Sequence, residues 1–274
     1  MSKTIVVVPD IQAPKHDKAA LAAVVQFIGD IQPDEVIQIG DALDFEGPAR
    51  WTKDTREEYA FDVEQEAEDF RKEFIEPVRA RYDGPFGMIE GNHDLRPRAY
   101  LEKYAPALQS KSRHYHFDVL CDFKSWDVSL LPPFYEFVPG HVATHGHLGR
   151  IGMRPTAGMT ALGAAMRWGK SVIMGHTHRM AAIPFTTGVG EERTIWGVEV
   201  GNLMDPAQAG YLKGTPGNWQ RGFAVIHCAK SGAIQPECIY FRPDNSFDYQ
   251  GQSWAPPGAP KRDANGRFEK KEAK

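Results

Sequence analysis

The sequence predicts an α/β protein. Short apolar runs that end in polar loops alternate with segments whose apolar residues recur at helical spacing. Residues 5–8 predict a strand, residues 17–32 an amphipathic helix, and residues 34–41 a second short strand that ends at Gly40 and Asp41. This beginning is typical of a βαβ unit, in which helices cover a largely parallel sheet.

The alternation continues along the chain. Residues 52–82 predict one long, highly charged helix, and residues 85–89 predict a third strand that is followed by a helix at 95–108. Between 111 and 143, alternating apolar residues punctuated by prolines predict β structure. The remaining predictions are a small-residue helix at 156–169, a strand at 171–174, and successive antiparallel strands at 181–187, 193–201, 222–228 and 237–242.

Composition and charge restrict the function classes. The chain has 274 residues, a formal net charge of -4 and three cysteines. The acidic balance argues against wholesale electrostatic binding to nucleic acid or anionic membrane. The cysteines include no CxxC pair, so they indicate neither a disulfide framework nor a thiolate zinc site. With no membrane span or signal peptide in its pattern, we expect a cytoplasmic protein that binds no membrane.

The chain predicts one domain and a tail. Residues 1–250 carry the strands, helices and motifs, so we expect them to form a single domain. Residues 251–274 are rich in Gly, Pro and Lys and contain almost no apolar residues. Such a composition cannot bury enough apolar surface to order the chain, so we expect a flexible basic tail.

Five polar motifs follow five of the predicted strands. Alone, each motif is also typical of a turn, a helix cap or a chance pair of histidines. All five at strand ends indicate a site along the carboxyl edge of the sheets. Carboxylates, an amide and imidazoles suit two divalent cations about 3.5–4 Å apart that share one carboxylate and clamp a phosphate. The motifs are PDIQ (9–12), GDALD (40–44), GNHD (91–94), THGH (144–147) and GHTH (175–178).

These motifs resemble the pattern of the calcineurin-like metallophosphoesterases, which is D-x-H, GDxxD, GNH[DE], a later His and GHxH. The match runs from Asp10 to His178, and the later GVEVGNLMDP and NWQRGFAVIH resemble a phage-encoded branch. The resemblance implies a four-layer αββα sandwich of two mixed β-sheets with helices on the outer faces. It also implies two divalent metal ions, with Mn²⁺ expected and Mg²⁺, Zn²⁺ or Fe as alternatives.

By position in the motifs, the resemblance implies seven metal ligands arranged around one shared carboxylate, that of Asp41. The other ligands of the first metal are expected to be Asp10, Gln12 and His178. The other ligands of the second metal are expected to be Asn92, His145 and His176.

Further residues are implied to act on the substrate. His93 is expected to donate a proton to the leaving-group oxygen or to stabilise it, and Asp94 is grouped with it because it orients neighbours, as Asp44 does. Arginines near the motifs can form paired hydrogen bonds with phosphate oxygens. The expected substrate contacts are Arg150, Arg179 and His147, with a loop hydrogen bond as the alternative role of His147.

Gln12 departs from the family pattern, which has a histidine at this position. An amide oxygen is a poorer ligand than imidazole for borderline-soft ions, so Gln12 favours Mn²⁺ or Mg²⁺ over Zn²⁺. His16, four residues further on, is an alternative ligand. We expect a binuclear site with one labile, oxygen-rich position.

The sequence therefore predicts a metal-dependent phosphodiesterase. Its expected substrates are nucleotide-type phosphodiesters, with 2′,3′-cyclic nucleotides among them, cleaved by attack of a metal-bridging hydroxide with His93 assisting the leaving group. A DNA nuclease with nucleic acid as substrate, and a non-catalytic scaffold that binds a protein partner, are the alternatives. The retained His93 favours catalysis over a scaffold, and Phe45 after Asp44 disfavours a protein phosphatase, which has Arg there.

Overall fold

Two mixed β-sheets form the centre of the protein in a computed structural model that describes residues 2–208 and 217–258. The strands of these ranges are β1 (Lys3–Val8), β2 (Glu35–Gln38), β3 (Phe86–Ile89), β4 (Ser129–Leu131), β5 (Tyr135–Val138), β6 (His141–Thr144), β7 (Ser171–Met174), β8 (Met180–Thr187), β9 (Arg193–Val200), β10 (Gly222–Cys228), β11 (Ile234–Tyr240), β12 (Phe247–Tyr249) and β13 (Gln252–Trp254). The α-helices are α1 (Lys18–Ile31), α2 (Val63–Phe70), α3 (Glu76–Arg79), α4 (Arg96–Tyr104), α5 (Phe117–Leu120) and α6 (Met159–Trp168).

Each sheet combines a parallel part with antiparallel strands. The first has the order β11-β10-β1-β2-β3-β4, in which β1 to β4 are parallel and β10 and β11 are antiparallel to their neighbours. The second has the order β5-β6-β7-β9-β8, in which β6, β7 and β9 are parallel. The parallel strands of each sheet therefore end at the same edge, as the motif positions require.

Strand β1 shows how the layers are built. Its side chains point alternately to the two faces of the first sheet, as in any strand. Val6 and Val8 are buried against the helices, among residues such as Phe27 of α1. Ile5 and Val7 are buried on the opposite face, in the apolar layer shared with the second sheet. A strand that is apolar on both faces is typical of a central position.

Helix α6 covers the outer face of the second sheet. Ala161, Ala164 and Ala165 pack there against Val172 and Met174 of β7. Their small side chains let the helix approach the sheet closely. With α1, α2 and α3 on the outer face of the first sheet, the layers are helix, sheet, sheet and helix, so the predicted αββα sandwich is confirmed.

The prediction of one continuous helix over 52–82 is wrong at its beginning. The Thr52 hydroxyl bonds to preceding backbone carbonyls, the chain makes a 3₁₀ turn at Arg56–Tyr59, and α2 begins only after Asp62, whose carboxylate caps its first turn. Further along, Arg71–Ile75 form a π turn that leads into α3. Pro77 has no N–H for the next helical hydrogen bond, which accounts for an irregularity at this point.

The prediction of β structure over 111–143 holds only from Ser129 onward. Before it lie a 3₁₀ segment at Pro106–Tyr115 and the short helix α5. The four strands predicted after residue 178 are present, but they do not form one antiparallel run. Strands β8 and β9 belong to the second sheet and β10 and β11 to the first. Local alternation predicts a strand, while its sheet depends on packing between distant segments.

The predicted tail begins too early. Residues Gln252–Trp254 form β13, which pairs with β12. The Trp254 ring lies 5.0 Å from that of Phe27, and its Nε1 donates a hydrogen bond to Asp30 at 3.1 Å. The packed part of the chain therefore extends past residue 250, and residues 259–274 of the predicted tail lie outside the described residues. No helix in the described part of the chain has the length and apolar character to cross a membrane.

Candidate metal centre

The five motifs meet at one edge of the two sheets. Asp10, Asp41 and Asn92 follow β1, β2 and β3 of the first sheet, and His145 and His176 follow β6 and β7 of the second. The two sheets therefore contribute carboxylates and imidazoles to the same place from opposite sides. This is the arrangement that the strand-end positions of the motifs predict.

One group of donors surrounds Asp10. Its Oδ2 lies 3.2 Å from His178 Nε2, and both atoms are buried. The side chain of Gln12 lies between this pair and Asp41, with its Nε2 at 3.3 Å from Asp41 Oδ2 and 3.5 Å from His178 Nε2. The amide that replaces the family's histidine thus lies among the other candidate ligands of this group.

A second group surrounds His145. Its Nδ1–H donates to the carbonyl of Ile39 at 3.2 Å, which leaves the lone pair on Nε2. That Nε2 lies 3.2 Å from Asp41 Oδ2 and 3.0 Å from Asn92 Oδ1. Donor atoms of Asp41, His145 and His176 all lie within 4.8 Å of one another. Asp41 therefore belongs to both groups, as a bridging carboxylate must.

The donor set fits divalent cations. The Asp41 and Asn92 oxygens converge on His145 Nε2, and either a proton on that nitrogen or a metal cation can supply the positive charge that holds these atoms together. Burial lowers the pKa of His145, but the charge of Asp41, the hydrogen bond to it and the charges of Asp10 and Asp94 together outweigh burial and raise that pKa to about 9. Burial opposes ionisation of Asp41, yet His145 and His93 hold the pKa of that carboxyl well below its usual range. The centre therefore favours positive charge, which two cations would supply.

The backbone is strained at four of the seven candidate ligand residues. Gln12, Asp41, His176 and His178 have φ values of 59°, 50°, 68° and 58°, in the left-handed region that favours glycine. Each such residue costs about 1–3 kcal/mol, and strain of this kind concentrates at functional sites. Because these side chains must turn from strand ends toward one point, their strain is consistent with a ligand role.

Two motif positions require glycine, because candidate ligands lie too close to the backbone there to leave room for a side chain. A Cβ on Gly91 would lie 2.2 Å from the Asp41 carboxylate and backbone N, and one on Gly40 would lie 2.6 Å from the His145 ring. Gly40 also has a φ of 107°. Any larger residue at either position would displace a candidate ligand.

His93 lies beside the ligands and is held by two neighbours. Its Nδ1–H donates to Asp44 Oδ1 at 2.7 Å, and its Nε2 accepts from Arg96 at 2.9 Å and lies 3.7 Å from Asp41 Oδ2. Asp44 also accepts from Lys15 at 2.7 Å. Burial opposes ionisation of Asp44, but His93 and Lys15 lower its pKa to about 2. Asp44 thus fixes the ring orientation of His93, as predicted.

Asp94, which is grouped with His93 because it orients neighbours, lies among the motif loops. It is fully buried and accepts hydrogen bonds from the backbone N–H groups of Leu43 and Gly91 at 3.0 and 2.7 Å. Burial and the charge of Asp41 raise its pKa to about 8. Asp94 therefore joins two motif loops to each other and does not touch the cavity beside the ligands.

An open cavity of about 850 Å³ lies over the candidate ligands. It contains residues that the motifs alone did not indicate, and among them are two tryptophans and a methionine. They come from loops distant in sequence, so no local pattern marks them. The lining residues are Gln12, Lys15, Asp41, Asp44, Glu46, Trp51, His93, Met153, His176, Thr177, His178, Arg179, Gln208 and Trp219.

The three predicted substrate contacts differ in position. Arg179 lines the cavity, while His147 lies behind it, with its ring 5.2 Å from His145. Arg150 is exposed and is not among the lining residues of this cavity, and its role as a substrate contact stays a prediction. Arg167 donates to the carbonyls of Gly149 and Arg150 and holds this loop near α6.

Asn202 supports the centre from a later strand end. Its side chain donates to the carbonyl of His178 at 3.0 Å, and its backbone forms a bridge with Asp10. The segment GVEVGN thus positions ligands of the first group. Its only signal in the sequence is another strand that ends in a Gly-Asn pair.

The chain is similar to known proteins over most of its length. Two proteins, each described as Gene 54 protein, from Mycobacterium phages L5 and D29, are 45% identical to it over 255 residues, which cover 93% of this chain and 99% of each of theirs. Among solved structures, a single mutant of Vps29 from Entamoeba histolytica aligns with a TM-score of 0.36 and 12% identity, covering 87% of this chain and 99% of that chain. Residues 3–180 match the family described as calcineurin-like phosphoesterase. The chain therefore belongs to the calcineurin-like phosphoesterase family and is a metal-dependent phosphoesterase with phage relatives.

Proposed function

We propose that the protein is a phosphodiesterase that hydrolyses nucleotide-type diesters, 2′,3′-cyclic nucleotides included, at a binuclear centre in the host cytoplasm. The observation that supports a diester is the charge balance of the cavity. Lys15 is bound by Asp44 and Glu46 at 2.7 and 2.6 Å, and Arg96 donates to Asp44. A monoester dianion needs more free positive charge than a diester monoanion does. With Lys15 neutralised in this way, Arg179 is the remaining Lys or Arg among the lining residues of the described cavity, and a single such charge favours the diester.

Two divalent cations fit the convergent donors. Asp41 would be shared, with Asp10, Gln12 and His178 completing one set and Asn92, His145 and His176 the other. Bound there, the cations would polarise the phosphate and activate a water molecule. The oxygen of Gln12 favours Mn²⁺ or Mg²⁺ at the first position.

The side chains of the protein itself would assist the leaving group. In hydrolysis the oxygen of water bonds to phosphorus, the bond from phosphorus to the leaving oxygen breaks, and that oxygen takes up a proton. His93 lines the cavity with its Nε2 3.7 Å from Asp41 Oδ2, and a protonated His93 ring would donate a hydrogen bond to the leaving oxygen there in place of its contact with Arg96. Asp44 keeps the His93 ring in place through the bond to its Nδ1.

The test is metal analysis of the purified protein together with a substrate comparison. Bis(p-nitrophenyl) phosphate, p-nitrophenyl phosphate, a 2′,3′-cyclic nucleotide and single-stranded DNA are compared with each divalent metal, with Asn92→Ala and His93→Ala as controls. We expect two metals per chain and faster cleavage of small diesters than of the monoester. Preference for DNA would support the nuclease alternative. If no substrate is cleaved faster than by the two variants, the scaffold alternative is correct.

A further inference from the structure

We propose that Trp51 and Trp219 are specificity-determining residues that hold the nucleobases on the two sides of the scissile phosphate, so that the substrate is a dinucleoside phosphodiester. The inference rests on the proposed phosphodiesterase function. It starts from two indoles in a cavity that is otherwise built from metal ligands and charged groups.

Trp51 lies on the leaving-group side. Its ring stacks on the Arg96 guanidinium at 4.7 Å, and Arg96 contacts His93 Nε2 at 2.9 Å. The side chain is nonetheless 59% exposed and lines the cavity. A large exposed apolar surface at the mouth of a site is typical of ligand contact, because leaving it in water is unfavourable.

Trp219 lies beside the first group of candidate ligands, the group around Asp10. Its ring centroid is 4.4 Å from that of His178, whose Nε2 is 3.2 Å from Asp10. The same cavity is lined by Trp219. One indole is therefore adjacent to His93 and the other to the first group of candidate ligands.

The two indoles lie at the ends of one series of contacts. It runs from Trp51 through Arg96 and His93 to Asp41, and from Asp41 through Gln12 and His178 to Trp219. A phosphate bound by the cations that share Asp41 would direct one ester substituent toward each end of this series. Nucleobases suit both ends, because every base presents a flat π face that stacks on aromatic side chains.

The charges of the cavity favour a short substrate. Asp44 and Glu46 line the cavity together with Trp51, and their ion pairs with Lys15 leave that cation neutralised and not free to bind additional phosphates. A long strand needs a cationic groove that follows its backbone. Two nucleosides joined by one phosphate use both indoles and require no such groove.

The experiment measures kcat/KM for dithymidine monophosphate and for two analogues that each lack one base. The variants are Trp51→Ala and Trp219→Ala, and the control is Tyr59→Ala, an aromatic residue that is 81% exposed and outside the cavity lining. We expect Trp51→Ala to lower kcat/KM about tenfold only when the base on the leaving nucleoside is present, and Trp219→Ala to do so only for the other base. The control should leave all three values unchanged.

Other outcomes overturn the inference. An equal loss on all three substrates would show that the indoles only support Arg96 and His178. A kcat/KM for interior bonds of a long oligothymidylate above that for the dinucleotide would overturn the restriction to dinucleosides. If the wild-type protein hydrolyses no diester, the proposed function fails. Calorimetric binding of the uncharged methylphosphonate analogue then tests the indoles separately, with weaker binding by both variants supporting base recognition and unchanged binding refuting it.

Discussion

The hydrogen bond from His93 to Asp44 predicts how substitution at position 44 changes the reaction. Asn in place of Asp44 keeps the size of the side chain but removes the charge that faces His93, Lys15 and Arg96 at 2.7, 2.7 and 3.3 Å. The amide oxygen of Asn can still accept from His93 Nδ1–H, but it carries no charge to stabilise a protonated His93 ring, and the amide nitrogen can take its place by rotation. Assistance to a leaving group contributes about 10²–10⁴-fold to a rate. We therefore expect Asp44→Asn to lower kcat about 100-fold for a diester with an alcohol leaving group.

Comparing substrates with different leaving groups distinguishes a role of Asp44 in leaving-group assistance from a general loss of structure. p-Nitrophenolate is stable without a proton, so for bis(p-nitrophenyl) phosphate the loss should stay below about tenfold. Steady-state kinetics on both substrates measure the two ratios, and circular dichroism with metal analysis shows whether the variant is folded and loaded. Asp248→Asn is the matched control, because Asp248 pairs with Arg242 in the β12 region outside the cavity lining. Equal losses on the two substrates would refute the assignment of His93 and Asp44 to the leaving group.

Three further predictions concern metal binding, packing and pH. Gln12→His should raise Zn²⁺ content relative to Mn²⁺, measured by elemental analysis after dialysis, because imidazole is the better ligand for Zn²⁺. Trp254→Ala should lower the free energy of unfolding in urea by about 3 kcal/mol, because the ring packs on Phe27 and bonds to Asp30. Burial, with the charges of Asp44 and Glu46, raises the pKa of Glu66 from 4.5 to about 7. Because of Glu66, the native state binds more protons than the unfolded state between these values, so Glu66 should make stability fall by about 1–3 kcal/mol as pH rises through this window, and Glu66→Gln should reduce the observed fall by that amount.

Each of these predictions has a control and a contrary outcome. Unchanged metal content in Gln12→His would mean that position 12 is not a ligand position. For Trp254, the exposed neighbour Gln252→Ala should leave stability unaltered, and equal stability of the two variants would place the ring outside the core. For Glu66, the exposed Glu64→Gln should keep the pH dependence of the wild-type protein, measured with a chelator present. A stability that stays level between pH 4.5 and 7 in the wild-type protein would contradict the raised pKa.

The candidate ligands could be predicted because their signal is local. Asp10, Asp41, Asn92, His145 and His176 each follow a short apolar run, and buried parallel strands end at one edge of a sheet. The type of residue then indicates a metal centre, and the order of the motifs indicates the family. Neither step requires knowledge of which distant segments touch.

Other features have no local signal. The helix predicted over 52–82 begins late because the Thr52 hydroxyl and the Asp62 cap turn the chain first. Arg150 follows a motif closely in sequence, yet its loop is held at α6 and away from the cavity. Asp94 belongs to the GNHD motif, but both of its carboxylate oxygens accept hydrogen bonds from backbone N–H groups. In each case a hydrogen bond formed in three dimensions determines the position.

The sequence by itself determined the class of fold, the strand ends that carry ligands and the chemistry that those ligands permit. It did so because hydrophobic periodicity and residue type are properties of neighbouring positions. Only the tertiary structure decided that Trp51 and Trp219 enter the same cavity, that Asn202 supports Asp10 and His178, and that Trp254 belongs to the core. These contacts join segments far apart along the chain, so they depend on how the two sheets pack. In "VVVPDIQ", accordingly, the letters identify Asp10 and Gln12 as candidates, and the fold places them opposite His178.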